Sequence, residues 1–155
     1  MGATAIERPG AVMMGGKPVT LLGPKIEVDQ QAPDFTVVDT SLSPKTLADF
    51  KGRVLLIASV PSLDTGVCSA ETRTFNQEAA GFSPDVQVLT ISMDRPFAQK
   101  RWCGAEGIER VITLSDHKEA SFGLAYGTLI KEHRLLARAV FVVDKQGKVT
   151  YVEYV

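Results

Sequence analysis

Val54-Leu55-Leu56-Ile57-Ala58-Ser59-Val60-Pro61 is the stretch on which the fold turns. The run to Val60 is of strand length and does not alternate, with Val54–Ala58 continuously apolar at its heart. That is the pattern of a strand buried on both faces of a sheet. Pro61 lacks an N–H and cannot continue a central ladder, so the strand ends there. Directly after it, Ser62-Leu63-Asp64-Thr65 supplies side chains that cap helix N-termini. Cys68, Thr72, Phe75, Ala79 and Phe82 then recur at helical spacing, until Ser83-Pro84-Asp85 stops the pattern. Val86-Gln87-Val88-Leu89-Thr90-Ile91-Ser92 is a second strand. A strand, a helix and a second buried strand imply a parallel pair joined by a right-handed crossover.

The flanks extend this unit. Asp94 and Pro96 open a second helix, which carries Phe97, Arg101, Trp102 and Cys103 and is expected to fade at Gly104 and Gly107. Val111–Leu114 reads as a short strand and Lys118–Ala125 as a short helix. Leu135 to Val143 has the pattern of one buried strand. Ala139–Val143 and Lys148–Tyr154 form a hairpin around Asp144-Lys145-Gln146-Gly147. Toward the amino terminus, Phe35–Asp39 reads as an edge strand. Ala11–Met14 and Val19–Leu22 flank Gly15-Gly16-Lys17-Pro18 as a β-hairpin over about residues 11–22. The expected fold class is therefore α/β, a thioredoxin-like arrangement with a central mixed β-sheet flanked by helices and an N-terminal hairpin.

The 155 residues fit one domain, expected to span 1–155. Seventeen Lys plus Arg against eighteen Asp plus Glu leave a net charge of −1. That balance lacks the electrostatic footprint of a nucleic-acid or membrane-surface protein. No apolar run approaches the roughly 20 residues of a membrane span, and Met1–Gly10 has no apolar core of a secretory signal. Two cysteines, Cys68 and Cys103, are too few for a disulfide scaffold and enough for one redox pair. His117 and His133 join them at spacings that match no zinc-ligand knuckle, so no metal is expected.

Cys68 falls three residues after Thr65, in the first turn of the expected helix. Unpaired N–H groups and the positive end of the helix dipole favour a thiolate there, the nucleophilic form of cysteine. Thr65 adds a hydroxyl one turn away. The competing reading makes Cys68 a small buried hydrophobe on the apolar face. Arg138 interrupts Leu136-Ala137-Arg138-Ala139-Val140-Phe141. Facing inward, it needs an anionic partner; opening the strand at the surface, it snorkels to solvent. Cys103 comes 35 positions after Cys68, near a helix end that opens at little cost. A bridge between the two would contribute about 4 kcal/mol on the chain-entropy account, and two separate buried thiols are the alternative. Neither cysteine belongs to a C-x-x-C pair.

Pro61-Ser62-Leu63-Asp64-Thr65-Gly66-Val67-Cys68 fits the peroxiredoxin signature P-x-x-x-(T/S)-x-x-C, and its P-S-x-D-T-x-V-C form resembles the thiol peroxidase branch, the atypical two-cysteine peroxiredoxins. Phe97-Ala98-Gln99-Lys100-Arg101-Trp102-Cys103-Gly104 resembles the segment bearing that branch's resolving cysteine. Leu136–Phe141 resembles the strand with its active-site arginine, and Gln31-Ala32-Pro33-Asp34-Phe35 and the hairpin fit too. The resemblance runs from about Ala11 to Tyr154.

It implies that Cys68 is the peroxidatic nucleophile and Cys103 the resolving cysteine. Thr65 and Arg138 would polarise the peroxide, and Pro61 would shield the pocket. The implied activity is thiol-dependent reduction of hydrogen peroxide and organic hydroperoxides, through a Cys68 sulfenic acid and a Cys68–Cys103 disulfide recycled by a thioredoxin-like reductant. No cofactor is needed. A cytoplasmic homodimer is expected. The family's further carboxy-terminal helix is expected to be absent from this chain, which stops at Val155. Rival readings are a thiol–disulfide oxidoreductase and a peroxide-sensing thioredoxin-like module.

Overall fold

In the computed structural model, which describes residues 6–50, 52–63, 74, 86–106 and 111–154, the apolar run forms a strand over Val54–Ser59. It pairs in parallel with Val86–Ser92, Leu55 opposite Gln87 and Ile57 opposite Leu89. In chain order the strands are β1 (Glu7–Met14), β2 (Lys17–Leu22), β3 (Thr36–Val38), β4 (Pro44–Thr46), β5 (Val54–Ser59), β6 (Val86–Ser92), β7 (Val111–Ser115), β8 (Leu129–Ile130), β9 (Leu135–Leu136), β10 (Ala139–Val143) and β11 (Val149–Tyr154). Two described helices are α1 (Pro96–Glu106) and α2 (Ser121–Tyr126). The helix expected to begin near Thr65 and carry Cys68 lies outside the described residues.

The main sheet has the order β11-β10-β5-β6-β7-β3-β4. Its centre, β5-β6-β7, is parallel, and both flanks are antiparallel. The mixed sheet is thus the one the sequence implies. Leu55, Ile57, Leu89, Ile91 and Leu114 pack on one side with Phe122 and Tyr126 of α2 and with Phe141. On the other side Leu56, Val88 and Val111 meet Trp102 and Cys103 of α1. Apolar residues on both faces explain why the run does not alternate.

The amino-terminal hairpin forms with longer arms than expected, β1 and β2, closing on Met14 opposite Lys17. Gly15 and Gly16 take φ of 58° and 78°. Two successive positive angles make the turn whose twist matches the strands it joins. The hairpin continues through β8 and β9 into a second, four-stranded sheet of order β1-β2-β8-β9.

Four expectations are corrected. Phe35–Asp39 is not an edge: its strand β3 lies between β7 and the short β4, which the sequence did not signal. Leu135–Val143 is not one strand. It divides at Ala137-Arg138, β9 ending in the small sheet and β10 starting in the large one. The helix read at Lys118–Ala125 begins at Ser121, because Ala120 takes a left-handed conformation, φ 53°, that helix cannot include. Finally, α1 runs through Gly104 to Glu106 rather than fading there, and Gly107, the other expected end, lies outside the described residues.

Candidate active site

The site is built at the carboxyl end of β5, where open α/β sheets place their ligands. Ser59 is the last residue of β5 and is fully buried. Its hydroxyl donates to the Ala137 carbonyl at 2.7 Å. The Ala137 N–H in turn donates to the Thr128 carbonyl at 2.7 Å, and Ala139 stands opposite Ser59 in the β5–β10 ladder. The residues on both sides of Arg138 are therefore pinned to the end of β5. Val60 continues from it, its N–H bonded to the Ile91 carbonyl of β6 at 3.0 Å.

This places Pro61 and Arg138 on one cavity of about 130 Å³. Met13, Met14 and Gly15 at the tip of the hairpin close one side of it, and Ile130 and Ala137 another. Arg138 is half-buried. Among the described residues nothing forms a hydrogen bond or ion pair with its guanidinium. A guanidinium at the wall of this cavity presents planar N–H donors that suit an oxygen-bearing guest.

Cys103 lies elsewhere, in α1 and against the sheet. Its thiol is free, half-buried and 3.4 Å from the Thr113 hydroxyl of β7. Burial raises its pKa above the ordinary thiol value, opposed by the Thr113 hydrogen bond. The preceding Trp102 packs both on Val60 and Leu63 after β5 and on Val88 and Val111 below α1. The structure thus brings Pro61 and Arg138 together and places Cys103 outside their cavity. Thr65 and Cys68 lie outside the described residues.

Two contributors were not singled out from the sequence as site residues. Ser59 is one; a lone hydroxyl in a run buried on both faces must find an acceptor, and that was its signal. Asp94 is the other, read only as a helix start. Its carboxylate accepts the Leu63 N–H at 2.8 Å, the Ser62 hydroxyl at 3.0 Å and the Ser92 hydroxyl at 2.8 Å. Close by, buried Gln99 of α1 donates to the Ser92 hydroxyl at 3.0 Å and the Leu114 carbonyl at 2.9 Å.

Comparison with known proteins gives concordant results. The Redoxin family profile matches residues 27–155. A thiol peroxidase of Oceanobacillus iheyensis is 64% identical over 137 residues, covering 88% of this chain and 83% of that protein. One of Bacillus subtilis is 62% identical over 140 residues, covering 90% and 83%. Among solved structures, a peroxiredoxin-like protein from Aquifex aeolicus superposes with a TM-score of 0.84 at 45% identity, covering 90% of this chain and 82% of that one. A thiol peroxidase from Chromobacterium violaceum gives 0.80 at 23% identity, covering 91% and 83%, a likeness of fold.

Proposed function

Since the chain belongs to the Redoxin family, with its thioredoxin-like α/β fold and thiol-dependent peroxidase activity, we propose that Cys68 is the peroxidatic nucleophile, that Thr65, Arg138 and Pro61 form its pocket, and that Cys103 resolves it. The observation that carries this reading is the cavity shared by Pro61 and Arg138 at the end of β5.

The Cys68 thiolate bonds to the terminal oxygen of hydrogen peroxide or an organic hydroperoxide as the O–O bond breaks. Sulfur is oxidised to a sulfenic acid, and the leaving oxygen gains a proton and departs as water or alcohol. Arg138 and Thr65 donate to the oxygens as charge builds on the leaving one, while Pro61 shields the pocket from water. Cys103 sulfur then attacks the sulfenic sulfur, forming the disulfide and expelling water. The elevated pKa of Cys103 suits this second role: a protonated thiol does not compete for peroxide. A thioredoxin-like dithiol returns both cysteines to thiols by exchange. The cycle needs no cofactor. Assembly as a homodimer and residence in the cytoplasm complete the reading and follow from the family resemblance. Among the described residues no helix is long and apolar enough to cross a membrane.

Intact mass after one equivalent of peroxide tests the assignment. Wild type is expected to lose two hydrogens, and Cys103→Ser to gain one oxygen that a sulfenic-acid probe traps. Cys68→Ser is expected to show neither change and no peroxide turnover; turnover in that variant overturns the role of Cys68.

A further inference from the structure

The geometry points to Asp94 as a positioning residue for the peroxide pocket, acting through the turn that follows β5. This deepens the proposed function and rests on Cys68 as the nucleophile. Asp94 follows the end of β6, at the same edge of the sheet as Pro61. One carboxylate oxygen accepts the Ser62 hydroxyl at 3.0 Å; the other accepts the Leu63 N–H at 2.8 Å and the Ser92 hydroxyl at 2.8 Å. Its own carbonyl accepts the Ser115 hydroxyl from the end of β7. A single residue therefore ties the turn after β5 to the ends of the parallel strands β6 and β7.

The residues it holds border the site. Ser62 and Leu63 come directly after Pro61, which walls the cavity facing Arg138. Leu63 is only 2% exposed and packs with Val60 and Trp102, so the turn is held by packing on one side and by the carboxylate on the other. Charge-assisted hydrogen bonds to a turn N–H are strong and directional. A helix start alone explains neither the Ser62 nor the Leu63 bond, since these run across 32 and 31 positions of chain. From Leu63 the chain leads to Thr65 and Cys68, so a shift of the turn moves the pocket wall against the donors that must meet the peroxide. A displacement near 1 Å at a reacting centre costs up to about a hundredfold in rate.

The test uses the Cys103→Ser background, in which Cys68 is the one remaining thiol, and compares peroxide oxidation with alkylation by iodoacetamide. Peroxide reduction needs the aligned oxygen donors, whereas alkylation needs only an accessible thiolate. Asp94→Asn retains size and loses one acceptor; Asp94→Ala removes both. The expected result is a fall in the peroxide rate of about tenfold for Asn and more for Ala, with alkylation within about twofold and far-UV circular dichroism unchanged. Ser62→Ala, which deletes one donor and keeps the Leu63 bond, is expected to fall by a smaller factor and serves where Asp94→Ala does not fold. Equal loss of both rates, or an unchanged peroxide rate in Asp94→Asn, overturns the positioning role. Peroxide turnover retained in Cys68→Ser instead removes the underlying assignment.

Discussion

Asp116 shows what a single carboxyl does when the fold buries it. It follows β7 and is 1% exposed, and it accepts the N–H groups of Phe122 at 3.0 Å and Gly123 at 2.8 Å. Loss of solvation pushes its pKa up to about 6, against those two hydrogen bonds and the attraction of Arg134. The folded protein therefore prefers the protonated acid. Its stabilising contribution is complete below about pH 4 and declines as the pH rises through about 6. Chemical denaturation from pH 4 to 7 is expected to show wild type losing up to about 2–3 kcal/mol relative to Asp116→Asn. Parallel pH profiles for the two proteins would refute this. Sequence placed Asp116 in no role, because one acid after a short strand carries no pattern. Its meaning depends on α2 turning back over it, a contact between segments that only the folded chain brings together.

At the scale of elements, α1 is the one that carries Cys103. Among its residues with described side chains, Pro96 and Gln99 are buried, while Trp102 and Cys103 are half-buried. It also contains Gly104, which costs a helix interior roughly 1 kcal/mol relative to alanine. A β-carbon placed there meets nothing within 4 Å. Gly104→Ala is expected to stabilise α1 by about 0.5–1 kcal/mol and to slow its amide hydrogen exchange. If Cys103 must leave its seat beside Thr113 to reach Cys68, the same change slows disulfide formation and leaves the peroxide step untouched. Stopped-flow Trp102 fluorescence separates the two phases; a slower peroxide step would contradict this account. The strands at the centre were legible because burial on both faces writes an unbroken apolar run over Val54–Ala58 and a strand-length, largely β-branched and aliphatic run over Val86–Ser92. The short strands β4, β8 and β9 were not, since segments of two or three residues carry no period. The break at Ala137-Arg138 was hidden for a related reason: Leu135–Leu136 and Ala139–Val143 are apolar in two different sheets, and composition does not record the change of partner. Of the cavity, Pro61 and Arg138 were named from their motifs, while Ser59 reaches Ala137 and Asp94 reaches Ser62 and Leu63 through bonds that span dozens of positions.

Across the whole molecule, the small sheet and the large one are fastened together by Tyr154. Its hydroxyl accepts the Ile26 N–H at 2.9 Å and donates to the Tyr126 carbonyl at 2.7 Å, and Arg8 of the hairpin stacks 5.2 Å above its ring. The Arg8 guanidinium also donates to the carbonyls of Gly23 and Gly127. Tyr154→Phe keeps the ring and leaves both backbone groups without the hydroxyl. It is expected to cost about 1–3 kcal/mol in urea unfolding, with the single-turnover peroxide rate preserved because the pocket lies at Pro61 and Arg138. A matching loss of rate would mean that the clasp reaches the pocket. The two-residue passage from β9 to β10 has a consequence of its own for insertions and deletions. In β10, Ala139, Phe141 and Val143 are buried while Val140 and Val142 are half-exposed. Adding or removing one residue after Leu136 would reverse that alternation or force the strand to slip in register. For the strand that follows, the passage is a spacer of set length, in which the count of residues decides the register and the side chain of Arg138 serves the pocket instead.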